Sequence, residues 1–234
     1  MANNIRKVIV DWFHMVIKPQ AKTIGSQNYV KEILIGASVA LVLLFSVWGY
    51  RSYRAGKDAK AQLALAEAVY AYQQAAQDKG ITYSHAELLL QEGYDAYSST
   101  RLAPYFLVFK AEAQVHQGNL NGAVETLSKA LILIPENTPL HNMYKTELAL
   151  MQLDGDNEEA QTEALESLKS LAFDENNAAR DHALYYLGSY YWSKNDIEQA
   201  KQAWNALITI GNQDKLSSSG WAAHVQEKLA QCSA

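Results

Sequence analysis

The stretch 182-HALYYLGSYYWSKNDIEQAKQAW-204 decides the fold. Leu184, Leu187, Gly188 and Tyr191 recur at i, i+3, i+4 and i+7, the stripe of an amphipathic helix. "SKND" then interrupts with turn formers, and Asn195 or Asp196 is placed to cap the next helix. Ile197, Ala200, Ala203, Trp204 and Leu207 resume the helical period in that second helix. The small residues Gly188 and Ala200 permit close backbone approach. Tyr191, Trp204 and one of Tyr185 and Tyr186 fill the volume beside them.

The same grammar occurs upstream in 103-APYFLVFKAEAQVHQGNLNGAVETLSKALILIP-135. Placing Ala111 on Gly188 puts Ala123 on Ala200 and Leu127 on Trp204, at the same intervals of twelve and then four residues. Ala111, the Gly118-Asn119 turn, Ala123, Leu127, Ala130 and Pro135 make this unit resemble a tetratricopeptide repeat, a helix-turn-helix of roughly 34 residues. In the second unit Leu184, Leu187, Gly188, Tyr191, Ala200 and Trp204 fit that pattern, with Leu207 and Asn212 in place of the usual Ala and Pro. Between the two, "PLHNMYKTELALMQL" and "EEAQTEALESLKSLA" flank the turn "DGDN" as a degenerate pair. Upstream, "AQLALAEAVYAYQQAAQ" and "SHAELLLQEGYDAY" form another pair divided by Lys79-Gly80, with Ser84 and Glu87 spaced as a capping box. "WAAHVQEKLAQ" closes the stack with a polar outer face. The expected fold is all-α: a membrane helix followed by a tetratricopeptide-like solenoid of antiparallel helix pairs over 61–234.

The resemblance implies a concave groove lined by the first helix of each pair, around its small residue. On the first clear repeat it points to Tyr105, Val108, Glu112 and His116. On the last it points to His182, Tyr185, Ser189, Trp192 and Ser193. Large aromatics commonly anchor protein interfaces, which singles out Tyr185 and Trp192. Packing against the closing helix or a neighbouring turn is the alternative for those two.

Charge divides the chain. Residues 1–60 carry nine Lys/Arg against three Asp/Glu, while 61–234 carry eleven against twenty-two. An acidic body without a basic stripe argues against a nucleic-acid partner. Residues 33–50, "ILIGASVALVLLFSVWGY", hold no charge, and eighteen residues at helical rise span about 27 Å, close to a hydrocarbon core. Lys31, Glu32 and Arg51 bracket the run, and Trp48, Tyr50 and Tyr53 resemble an interfacial aromatic belt. It is longer than a signal-peptide core and comes after a leader of about thirty residues, so a retained single-pass anchor is expected. Residues 51–60 form a basic juxtamembrane segment. Lysines and arginines flank the run on both sides, so charge alone leaves its orientation open.

In the tail 1–32, Ile5, Val8, Ile9, Trp12, Phe13 and Val16 share one helical face, opposite Arg6, Lys7, Asp11, His14 and Lys18. Such a helix suits either an anionic membrane surface or a partner's membrane segments. Catalytic signals are missing. The six histidines show no zinc-ligand spacing, and "GNLNG" at 118–122 lacks the Lys-Ser/Thr of a phosphate loop. "DGDNEE" at 154–159 lacks calcium-loop alternation and reads as a solvated turn with a helix cap. Cys232 is the single cysteine, in a small polar tail. No metal, cofactor, small-molecule substrate or reaction is expected.

In layout the chain resembles the bacterial ancillary SecYEG translocon subunit (YfgM-like) family, most strongly in "WGYRSYRAGKDAKAQLALAEAVYAYQQA" and at 105–130. The resemblance implies a single-pass protein of the bacterial inner membrane with its repeats in the periplasm. Its implied partners are the translocon and envelope chaperones, and its mechanism is tethering. A structural subunit of another membrane-embedded secretion or envelope complex is the other reading of the same layout.

Overall fold

Helix caps written in the sequence set most element boundaries in the computed structural model, which describes residues 27–136, 138–213 and 220–231. The described residues form nine helices and no strand. They are α1 (Gln27–Ala76), α2 (Tyr83–Tyr97), α3 (Ala103–His116), α4 (Leu120–Leu133) and α5 (Pro139–Leu153). After them come α6 (Glu158–Phe173), α7 (Arg180–Ser193), α8 (Ile197–Gln213) and α9 (Gly220–Gln231). Residues 5–17, expected to form an amphipathic helix, lie outside the described residues, as does Cys232.

Each turn has a local chemical cause. Gly118 takes φ +77°, a left-handed conformation that costs glycine little, and the Asn119 side chain then accepts from the Gly122 amide at 3.1 Å to start α4. Thr138 caps α5 by accepting from the His141 amide at 3.2 Å, with Pro139 in the first turn. Asn157 accepts from the amides of Glu159 and Ala160, so the acidic run "DGDNEE" is a turn and a cap. Asp196 accepts from Gln199 at the start of α8, and Asn195 supplies the left-handed residue at φ +60°.

One cap differs from expectation. Thr82, not Ser84, accepts from the His85 amide ahead of α2. Ser84 instead donates to Gln117 Oε1 at 2.7 Å, and Glu87 accepts from Gln114 and Gln117. Both residues expected to cap α2 tie it to the end of α3, because the helix starts two residues earlier and turns them toward that neighbour. Residues 51–60, expected as a basic juxtamembrane segment, lie within α1.

The chain divides into two units, Met1–Gly56 and Lys57–Ala234. In the second, antiparallel neighbours pack in chain order from α2 to α8, and α9 lies on α7 and α8. Gly188 faces Trp204 so closely that an added Cβ would land in the indole ring. Trp204 is wholly buried, with its indole N–H donating to the Tyr185 carbonyl at 3.2 Å. In the other clear repeat Ala111, Ala123 and Leu127 occupy the corresponding seam. The two repeats therefore keep one spacing and exchange volume across it, Gly over Trp against Ala over Leu. Val225 of α9, fully buried, seals the last core cluster.

Candidate functional site

Alternate helices of the second unit, α3, α5 and α7, bury one side against their partners and turn the next residue outward. Glu112 comes directly after buried Ala111, and Glu147 directly after buried Thr146. Between them lies an open groove of about 370 Å³ lined by Tyr72, Glu112, Val115, His116, Leu120, Glu147, Leu150, Met151, Asp154 and Tyr186. Three carboxylates and two phenols thus share a wall with an apolar floor. Its basic side chain is His116, stacked at 4.5 Å on Tyr83; among the described residues no lysine or arginine lines it.

Burial governs the electrostatics here. It pushes Glu112 above the usual carboxylate range, opposed by a hydrogen bond from the Tyr72 hydroxyl and by His116. Glu147 rises to about 7 through burial and then through repulsion from Glu112. Tyr144 is pushed up to about 12 by burial and by Glu147, while Tyr72 and Tyr186 also rise, chiefly by burial. A groove arranged this way favours a positive guest and opposes a negative one.

The residues expected from sequence divide. Glu112 and His116 line the groove. Tyr105 is half-buried close enough to Tyr144 to affect its charge. Val108, only 1% exposed, does not line the surface; it packs with Leu107, Ala111 and Leu127 in the core. His182 is 8% exposed and inward too, edge-on to Tyr186 at 4.8 Å and Trp221 at 5.7 Å, and burial lowers its pKa.

Tyr185 meets the closing helix, its ring 4.4 Å from Trp221, and Trp192 lies against Trp204 at 5.9 Å. Both therefore contribute to packing, and neither lines the groove. Ser189 donates to the Tyr185 carbonyl, and exposed Ser193 to that of Tyr190. The aromatic that does enter the groove from α7 is Tyr186, about 100° around the helix from Tyr185. Glu147 and Tyr72 are groove residues that the repeat pattern does not single out. The repeated placement of a carboxylate after a buried small residue, Ala111-Glu112 and Thr146-Glu147, is the signal that marks the first of them.

A larger concavity of about 480 Å³ opens between α4 and the α5–α6 turn. It carries one carboxylate, Asp156, and no aromatic ring, so it lacks the anchors of the groove. Among the described residues no three His, Cys, Asp or Glu side chains come together as a metal site.

Stacked helix hairpins with an open, side-chain-lined groove define a helical-repeat scaffold for protein–protein interaction. The chain belongs to the family described as a tetratricopeptide repeat-like domain, which it matches over residues 27–233. No curated protein matches it.

Proposed function

We propose that the protein is a non-catalytic scaffold held in a bacterial inner membrane by one helix, with its repeats in the periplasm. There it links the Sec translocon to envelope chaperones by holding polypeptide in the groove. The family supports the scaffold; the translocon link rests on the resemblance in layout. Among the described residues no helix is long and apolar enough to cross a membrane, and the side chains of residues 33–40 and 44 lie outside them. The anchor is read from the uncharged run 33–50 and from α1's bare surface. Leu41, Val42, Leu43, Phe45, Val47 and Trp48 are each 54–70% exposed and point to every side of the helix, an apolar girdle that demands cover. That exposed girdle is the observation that carries the membrane reading.

The test is in two parts. Full-length protein should resist carbonate extraction, and a C-terminal reporter active only outside the cytoplasm should function. Purification from solubilised membranes should then recover translocon or chaperone components. Extraction by carbonate would remove the anchor, and recovery of neither partner class would remove the translocon link. Deleting residues 5–17 separates this reading from a structural subunit of another membrane assembly: the scaffold keeps its partners, whereas the structural subunit loses assembly.

A further inference from the structure

The groove's electrostatics are incomplete within the chain. Glu112 and Glu147 line one groove from α3 and α5 together with Asp154, and among the described residues no lysine or arginine lines it. The ion pairs among the described residues lie elsewhere: Glu125–Lys129 on α4, Glu166–Lys169 on α6 and Glu198–Lys201 on α8. His116 meets Glu112 but is already stacked on Tyr83. Carboxylates drawn partly out of water without a countercharge repel one another and favour any cation that reaches them. The surrounding surface limits what can deliver that cation. Tyr72 and Tyr186 bring aromatic rings to the groove wall, a residue type that attracts ammonium and guanidinium groups. Val115, Leu120, Leu150 and Met151 present apolar area next to the acids. Membrane headgroups of anionic lipid and nucleic-acid phosphates are repelled by the same charges.

We propose that the groove holds a lysine or arginine side chain of a partner polypeptide beside Glu112 and Glu147, with apolar neighbours of that residue seated on Leu150 and Met151. This rests on the scaffold reading and adds to it the chemistry of what is held. The selected segment is a basic residue flanked by apolar ones, and charge complementarity is its selection rule. The Tyr72 hydroxyl beside Glu112 favours the charged form of that carboxylate, the form a cation pairs with.

The test uses full-length protein in solubilised membranes, with p-benzoylphenylalanine in place of Val115 as a photo-cross-linker on the groove wall. Cross-linked segments are sequenced from this protein and from the same protein carrying Glu112→Gln and Glu147→Gln. The proposal expects a Lys or Arg within about three residues of each cross-link, and at least a tenfold fall in capture for the double variant at an unchanged or higher Tm. Captured segments without a basic residue, or equal capture by the double variant, overturn the cation assignment and leave the scaffold standing. No capture by the parent protein overturns both.

Discussion

The two helices of the α3/α4 and α5/α6 hairpins handle charge in opposite ways. On the outer helices α4, α6 and α8, lysines pair with glutamates one turn away, as in Glu125–Lys129 at 2.6 Å and Glu166–Lys169 at 2.9 Å. On the groove helices α3 and α5, Glu112 and Glu147 are more deeply placed, and among the described residues no lysine lines their groove. Exposed pairs add little stability, whereas a partly buried, unneutralised carboxylate subtracts from it. The outer face thus pairs its charges in water, and the inner face gives up stability by holding its carboxylates partly out of it. Between them runs the seam of Gly188, Ala200 and Trp204, which supplies the stability that the groove gives up.

Removing the seam should have the largest effect. Trp204→Ala deletes a wholly buried indole and leaves the Tyr185 carbonyl without its donor, so urea unfolding should show a loss of about 3–5 kcal/mol. Gly188→Ala tests the same seam by overfilling it. A methyl group there strikes the Trp204 ring, and a loss of about 1–3 kcal/mol is expected although alanine is the better helix former. A stabilised Gly188→Ala protein would contradict the close approach.

The groove should respond with the opposite sign. Glu147 has a native pKa of about 7 against an ordinary 4.5, so between those values the native state holds a proton that the unfolded chain has released. Its contribution to stability therefore falls as pH rises from about 4.5 to 7 and stays low above. Glu147→Gln should be more stable than the parent at pH 8 by about 1–2 kcal/mol, after allowance for solvent screening. That advantage should shrink through the same window and vanish below about pH 4.5, as read from Tm against pH. A flat difference would place Glu147 in water. Breaking an outer pair by Glu166→Ala should change stability least, by about 0.3–0.5 kcal/mol, and salt should erase the change.

Much of this arrangement is legible in the chain, for reasons that differ by element. Gly188, Ala200 and Trp204 announce the seam because helical period and residue volume agree there. Asn119, Asn157 and Asp196 announce the turns because their short side chains reach a backbone amide only at a helix start. Ser84 and Glu87 mislead because a capping pattern and an inter-helix contact use the same residues, and only the neighbouring Gln117 distinguishes them. Tyr185 and Tyr186 cannot be separated by periodicity alone; both rings meet Trp221 of the closing helix, and of the two it is Tyr186 that lines the groove. Spacing from Ala111 points Val108 at the groove, yet three residues back along α3 the surface faces α4 and the core. Glu147 is marked only by its place after small Thr146, because its hairpin departs from the repeat pattern, whereas Glu112, its partner in repulsion, belongs to a unit that keeps it.

Partner occupancy of the groove is the central claim, and quantitative co-purification from solubilised membranes tests it most directly. Full-length protein should be compared with a Glu112→Gln/Tyr186→Ala variant and with Ser193→Ala, an exposed position off the groove. The groove variant should lose most of its co-purified polypeptide while Ser193→Ala keeps it, at matched helicity. Equal recovery from all three would show that whatever binds this protein binds elsewhere.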